Sequence, residues 1–187
     1  MSVEIERKFL VTSEAWRASV CSSIQIHQGY LSKTQLGSVR VRRYPDSAWI
    51  TVKSRRTGIC RTEFEYEIPK SDADQMLRDL CCRPTLKKVR HDVYVGASHW
   101  QIDVFSGSGE GLVLAEIELQ SPDQPFDRPP WIGAEVTLHP LFRSSAIAAG
   151  RWRRTANDAR GPTALSPSTP RWRGTTEHPV RASVEAY

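Results

Sequence analysis

Residues 4–11 read Glu-Ile-Glu-Arg-Lys-Phe-Leu-Val, and this short stretch decides the fold that the sequence predicts. Successive side chains of a β-strand point to opposite faces of the sheet. A strand here would place Glu4, Glu6 and Lys8 on one face and Ile5 and Phe9 on the other. The stretch therefore predicts a strand with one ionic face and one apolar face.

The same alternation recurs throughout residues 1–149 and predicts a body made mainly of strands. Turn residues such as Pro45-Asp46 separate several of the segments. Ser71 with Asp74 three residues later resembles a capping box, so we predict a helix after Ser71. Shorter helices are predicted after Ser13 and near 140–149. The predicted strands are 3–10, 25–31, 38–44, 48–54, 61–68, 87–94, 99–105 and 112–119.

The ionic faces of these strands mix acids and bases, and this mixture admits two interpretations. Like charges two residues apart repel unless an opposite charge lies between them. One interpretation is an open sheet with one face in water. The other is an α+β fold in which an eight-stranded antiparallel β-barrel has a charged interior and is covered by helices, since eight strands can enclose one small ligand. The acids are Glu4, Glu6, Glu63, Glu65, Glu67, Asp92, Asp103, Glu116 and Glu118, and the bases are Lys8, Arg40, Arg42, Lys53, Arg61, Lys88 and Arg90.

The closed interpretation carries a prediction about the ligand. Clustered carboxylates suit a hard divalent cation such as Mg²⁺ or Mn²⁺. Several bases in one narrow space suit a polyanion, because the arginine fork matches phosphate oxygens. A barrel interior of this kind therefore favours a metal-bound triphosphate, whereas an open sheet needs no ligand.

The positive net charge of the whole chain suggests a nucleic-acid partner, but most of that charge lies outside residues 1–149. The 187 residues carry a formal charge of +5, but residues 150–187 contain seven arginines against three acidic residues. Residues 1–149 are then nearly neutral, so we consider nucleic acid an unlikely partner of the body. The Arg- and Pro-rich composition of 150–187 predicts a disordered tail that follows a single domain over 1–149.

Several other classes are excluded by simple features. No apolar run approaches the roughly 18 residues of a membrane helix, and the charged N-terminus does not resemble a secretory signal. We therefore expect a soluble, cytoplasmic protein with four reduced cysteines. The run Gly107-Ser-Gly-Glu-Gly111 lies between two predicted strands, so it predicts a hairpin turn and not a phosphate loop.

The motifs in this order resemble the CYTH family, the triphosphate tunnel metalloenzymes. The opening matches the family's E-x-E-x-K signature, and the resemblance extends over about residues 1–148. Short bacterial inorganic triphosphatases are the members that this chain resembles most. The further matching segments are Gln28-Gly-Tyr-Leu31, Val39-Arg-Val-Arg42, Thr51-Val-Lys53, Arg61-Thr-Glu-Phe-Glu-Tyr-Glu-Ile-Pro69, Lys88-Val-Arg90, Ile102-Asp-Val-Phe105, Ala115-Glu-Ile-Glu-Leu119 and Pro130-Trp-Ile-Gly-Ala-Glu-Val-Thr137.

This resemblance implies an eight-stranded tunnel and metal-dependent hydrolysis of a triphosphate, most simply tripolyphosphate to pyrophosphate and phosphate. By position, the implied metal ligands are Glu4, Glu6, Glu116, Glu118 and Asp103. The implied phosphate-binding bases are Lys8, Arg40, Arg42, Lys53, Lys88 and Arg90. Catalytic roles are implied for Lys8, Lys88, Glu63 and Glu65, with Glu63 or Glu65 orienting water and Asp103 also able to orient the bases.

Two residues depart from the family pattern, and the sequence leaves several other functions open. Family chains commonly carry a basic residue at the position of Leu141 and an asparagine at that of Ser144. If the terminal helix plugs or lines one tunnel end, these departures leave product release or length selectivity open. An adenylyl cyclase, a nucleoside or thiamine triphosphatase, and a non-catalytic polyphosphate binder are alternatives on the same scaffold. Oligomeric state is not readable from the sequence, and a homodimer would be unsurprising.

Overall fold

The computed structural model describes residues 3–153. The strands are β1 Val3–Val11, β2 Val20–Lys33, β3 Gly37–Arg43, β4 Ala48–Ser54, β5 Cys60–Glu67, β6 Cys82–Val95, β7 Ser98–Ser106, β8 Val113–Glu118 and β9 Ile132–Glu135. The α-helices are α1 Lys70–Gln75 and α2 Ser144–Ala148. The disordered tail predicted over 150–187 lies outside the described residues except for its first four positions.

Eight antiparallel strands form a closed ring, as the sequence predicted. Their order is β5-β4-β3-β2-β6-β7-β8-β1, and a short pairing of β1 with β5 closes the ring. The ninth strand, β9, pairs with the other half of β1 and was not predicted. The fold is thus mostly β, with few and short helical segments.

Two strands are longer than the alternation indicated. β2 begins at Val20 and β6 at Cys82, whereas alternation predicted starts at 25 and 87. Residues 20–24 read Val-Cys-Ser-Ser-Ile, and β6 contains Pro84, so neither extension has a clear period of two. Their pairing with each other, from Val20↔Val93 to Tyr30↔Cys82, supplies the backbone hydrogen bonds that local pattern did not predict.

The helical segments differ from prediction mainly at their ends. The prediction of a capping box at Ser71 is wrong. α1 begins at Lys70 after Pro69, and the Ser71 hydroxyl donates to the Asp72 side chain and not to the backbone. α1 continues as a π-helix over Met76–Leu80. Short 3₁₀ helices occur at Ala15–Ser19, where a helix was predicted, and at Pro140–Phe142 before α2.

Apolar side chains on the outward faces form two separate cores. Buried Trp16, Trp100 and Trp131 cover one side of the ring. On another side α1 and the π-helix pack Ala73 and Leu77 against the strands. Burial of apolar surface stabilises the fold by roughly 25 cal/mol per Å², so these covered faces hold the ionic faces inward.

A third apolar cluster fills the inside of the ring at one end. Leu86 and Leu114 lie on the same strand faces as the ionic residues of β6 and β8. They are buried against Phe142 and Ile147. α2 and the 3₁₀ helix before it therefore close this end from within.

The glycine-rich turn, the cysteines and the length of the helices were also predicted from the sequence. The Gly107–Gly109 segment is a 3₁₀ turn between β7 and β8, as expected of a hairpin connection. All four cysteines are free thiols. Within residues 3–153, no helix is long and apolar enough to cross a bilayer.

Candidate active site

The ring encloses a polar cavity of about 1330 Å³. Side chains from β1 to β8 reach into its wall, and the loop between β4 and β5 and the segment before α2 complete its rim. The strand residues that line it include Glu4, Glu6, Lys8, Tyr30, Arg40, Arg42, Lys53, Arg61, Glu63, Glu65, Lys88, Arg90, Gln101, Glu116 and Glu118. The ionic faces therefore converge on one interior, and the open-sheet interpretation is wrong.

One cluster in this interior gathers at the seam between β1 and β5. Lys53 Nζ donates to Glu4 Oε1 at 3.1 Å and lies 2.5 Å from Glu63 Oε2. Arg61 donates to the other oxygen of Glu4. Burial alone would raise the pKa of Glu4, but the Arg61 hydrogen bond and the Lys53 charge outweigh it and lower that pKa. Burial, together with a hydrogen bond to Glu4, raises the pKa of Glu63 to about 7.

A second cluster lies on β6, β7 and β8. Asp103 is fully buried and binds both Lys88 and Arg90, the latter at 2.7 Å from Nε to Oδ1. Glu116 lies 2.5 Å from Lys8 Nζ and 2.5 Å from an Arg90 nitrogen. Burial, with repulsion from Arg90, lowers the pKa of Lys88 to about 7. Asp103 and Glu116 thus hold three bases in place.

The wall formed by β3 has bases with few carboxylate partners. Arg40 is 6% exposed, yet its nearest carboxylate oxygen, on Glu65, lies 3.9 Å away. Among residues 3–153 its side chain makes one hydrogen bond, which it donates to Thr51 Oγ1 at 3.4 Å. The Nε atoms of Arg40 and Arg42 have no hydrogen-bond partner among the described residues. Buried unpaired donors are costly, so this wall suits an anionic ligand.

Three carboxylates, Glu4, Glu6 and Glu118, crowd together on the other side of the cavity. Glu6 lies directly opposite Glu118 in the pairing register. Burial and the charges of Glu4 and Glu6 raise the pKa of Glu118. A divalent cation with oxygen ligands would relieve this repulsion, so the three residues fit one in chemistry. Within residues 3–153, however, no three potential ligands already stand in a metal-binding arrangement.

All thirteen residues that the sequence singled out meet in this region. Twelve line the cavity, and Asp103 lies behind the wall beneath Lys88 and Arg90. Two further bases that the strand alternation did not indicate, Arg56 and Arg143, also line the cavity. Both lie outside the strands, where no alternation indicates the direction of a side chain; their positive charge in turn segments was the only available signal.

The structure is a closed antiparallel tunnel whose interior is lined by interleaved carboxylates and bases. The model of the CYTH domain matches residues 2–148. The chain therefore belongs to the CYTH family.

Individual relatives cover most of the domain. An inorganic triphosphatase of Acetivibrio thermocellus is 42% identical over 147 residues, which span 79% of this chain and 94% of the relative. An inorganic triphosphatase of Nitrosomonas europaea is 32% identical over 149 residues, 78% of this chain and 96% of the relative. The crystal structure of the inorganic triphosphatase NE1496 superposes with a TM-score of 0.58 at 31% identity, covering 79% of this chain and 95% of that one.

Proposed function

We propose that the protein is an inorganic triphosphatase that hydrolyses tripolyphosphate to pyrophosphate and phosphate. The observation that carries this proposal is the buried β3 wall, where Arg40 and Arg42 have donors without partners inside a closed cavity. Two relatives named inorganic triphosphatase support the choice of substrate.

Phosphoryl oxygens could accept hydrogen bonds from the unpaired donors of this wall. In our proposal Arg40 and Arg42 bind one side of the tripolyphosphate chain, and Lys8, Lys53, Lys88 and Arg90 bind the others. Arginine pairs bidentately with phosphate oxygens, which fixes direction as well as position. Because Lys8 keeps Glu116 and Arg90 keeps Asp103 as neighbours, these bases are oriented before the substrate arrives.

Glu4, Glu6 and Glu118 are our proposed ligands of Mg²⁺ or Mn²⁺. The cation, when bound, would neutralise negative charge on the phosphoryl oxygens. Glu116 and Asp103 are each held by two bases, which supports a positioning role for them more than direct metal ligation.

The chemical step is attack of water on the terminal phosphorus. The bond from that phosphorus to the bridging oxygen breaks, and pyrophosphate leaves with the electron pair. Glu63 is our proposed acceptor of the water proton, because a carboxyl with a pKa of about 7 is partly ionised at neutral pH and still basic enough to take a proton. Glu65 is the neighbouring alternative on the same face of β5.

Phosphate release from tripolyphosphate with Mg²⁺ and with Mn²⁺ tests the proposal. Glu6→Ala should lose activity by more than about 100-fold, since even indirect changes at metal sites cost about 10- to 100-fold. Glu67→Ala, at the exposed end of the same ionic face of β5, is the matched control and should keep wild-type activity. Activity that survives Glu6→Ala would reject the site.

A panel of pyrophosphate, ATP, GTP and thiamine triphosphate separates the remaining activities. Cyclic AMP made from ATP would indicate a cyclase. Tight tripolyphosphate binding without turnover under either metal would indicate a binding module and contradict the proposed hydrolysis.

A further inference from the structure

Arg56 reaches across the cavity rim from the loop between β4 and β5. Its Nη2 donates to Glu6 Oε1 at 3.2 Å, and its Nη1 donates to the carbonyl of Thr137 at 3.5 Å. The side chain is only 18% exposed. This base therefore covers one oxygen of a carboxylate that faces the tunnel interior.

Glu6 differs from its neighbours in where its counter-ion comes from. Glu4 and Glu116 are each held by two strand-borne bases, at distances down to 2.5 Å for the Lys8 contact with Glu116. Glu6 has Lys8 only at 3.7 Å, so Arg56 is its nearer base. A strand fixes the position of its side chains, whereas a loop residue can move without breaking a ladder of hydrogen bonds.

We infer that Arg56 is a displaceable counter-ion that couples the binding of divalent cation and triphosphate. This inference rests on the proposed function. In the free protein Arg56 neutralises Glu6. If Glu4, Glu6 and Glu118 held a divalent cation, Arg56 would leave Glu6, because two positive charges so close together repel each other.

When Arg56 leaves Glu6, the triphosphate offers it a new partner. Arg56 lines the same cavity as Arg40 and Arg42, so a phosphoryl oxygen in the tunnel is within the same space. A bound triphosphate would draw Arg56 away from Glu6 and so favour cation binding there. A bound cation would release Arg56 and so favour its pairing with the triphosphate. Such coupling is reciprocal: the triphosphate raises metal affinity by the same factor by which the metal raises triphosphate affinity.

Mn²⁺ titration by calorimetry tests the inference without measuring turnover. The variants are Arg56→Gln and, as a matched control, Arg55→Gln, which removes the same charge from an exposed neighbour lining the same cavity. Each is titrated alone and with a tripolyphosphate analogue whose bridging oxygens are replaced by methylene groups. Arg56→Gln should bind Mn²⁺ alone more tightly than Arg55→Gln by at least about fivefold, and its coupling to the analogue should fall by a similar factor.

Equal or weaker Mn²⁺ binding by Arg56→Gln relative to Arg55→Gln would overturn the inference, because Arg56 would then not compete with the cation. If Arg56→Gln does not fold, Arg56→Met replaces it: methionine removes the charge but keeps an unbranched side chain, and it should also bind Mn²⁺ more tightly than Arg55→Gln, with equal or weaker binding again overturning the inference. Wild-type phosphate release is measured in parallel. Its absence would reject the proposed hydrolysis, whereas failure of the Arg56 comparison alone leaves hydrolysis standing.

Discussion

At the scale of single residues, burial and pairing decide which charges a ligand can use. Lys8 lies between Glu116 and Glu6, whose charges outweigh burial and raise its pKa, so it stays protonated. Lys88 is equally buried but lies beside Arg90, and its pKa falls to about 7. Two lysines on neighbouring walls of one cavity therefore differ in their charge at neutral pH.

Lys88 gives the stability of the ligand-free protein a predictable pH dependence. In the unfolded chain Lys88 keeps its proton up to its ordinary pKa of 10.5, whereas in the folded protein it loses it near pH 7. Between these values the unfolded chain binds more protons, so the free energy of unfolding rises with pH and the gain is complete above 10.5. Relative to Lys88→Met, the wild type should gain up to about 1.4 kcal/mol per pH unit across this window.

Urea unfolding of both proteins from pH 6 to 10 measures this difference, and the titrations of groups distant from Lys88 cancel between them. A constant difference across the window would mean that Lys88 stays charged in the folded state.

At the scale of elements, outward packing is what turns the ionic faces inward. The π-helix that follows α1 lies so close to β2 that Gly29 is required there. A Cβ at position 29 would lie 2.7 Å from Cys81 Sγ and 3.1 Å from Leu77 Cδ2. Since the Cβ of Cys81 would also be only 2.8 Å away, rotating that side chain does not relieve the contact.

Gly29→Ala should therefore destabilise the protein by about 1–3 kcal/mol, the usual cost of overpacking. The same substitution in a Cys81→Gly background should cost less, because the nearest obstructing atoms are gone. A double-mutant cycle by thermal or urea unfolding measures the coupling. Additive effects would show that the helix approaches β2 less closely than described.

At the scale of the whole molecule, the tunnel depends on one short closure. β1 and β5 pair at only three positions, Val3↔Thr62 to Ile5↔Cys60, whereas β2 and β6 pair at nine. Glu4 and Arg61 face each other across this seam and both line the cavity. The weakest junction of the ring is thus part of the site.

We expect the amides of residues 3–5 and 60–62 to exchange hydrogen faster than those in the β2–β6 pairing, because fewer contacts must break to open the seam. Tripolyphosphate in the absence of metal should slow exchange at the seam, since its charge binds bases on both sides of the junction. Hydrogen-exchange mass spectrometry compares the two regions within one sample. Equal protection of both regions without ligand would contradict this expectation.

Sequence alternation predicted which residues share an ionic strand face, because the side-chain period of a strand is two, and the family resemblance implied that these faces line a closed tunnel. The same rule predicted that Lys88, Arg90 and Asp103 share a face with Glu116, and these four residues do meet. It was less informative where the period is interrupted, as at the start of β2 and around Pro84 in β6. A helix was predicted after Ser71, but it begins at Lys70, because the Ser71 side chain makes no capping hydrogen bond to the backbone.

By itself, the sequence determined which side chains share one face of each strand and that carboxylates and bases lie together on those faces. Only the tertiary structure decided that β1 closes on β5, that α2 fills one end of the ring, and that Arg56 covers Glu6. The β1–β5 pairs join residues 55 to 59 positions apart, and Arg56 lies 50 positions from Glu6. No local periodicity encodes such contacts, because they form only when the covered outer faces bring distant strands together.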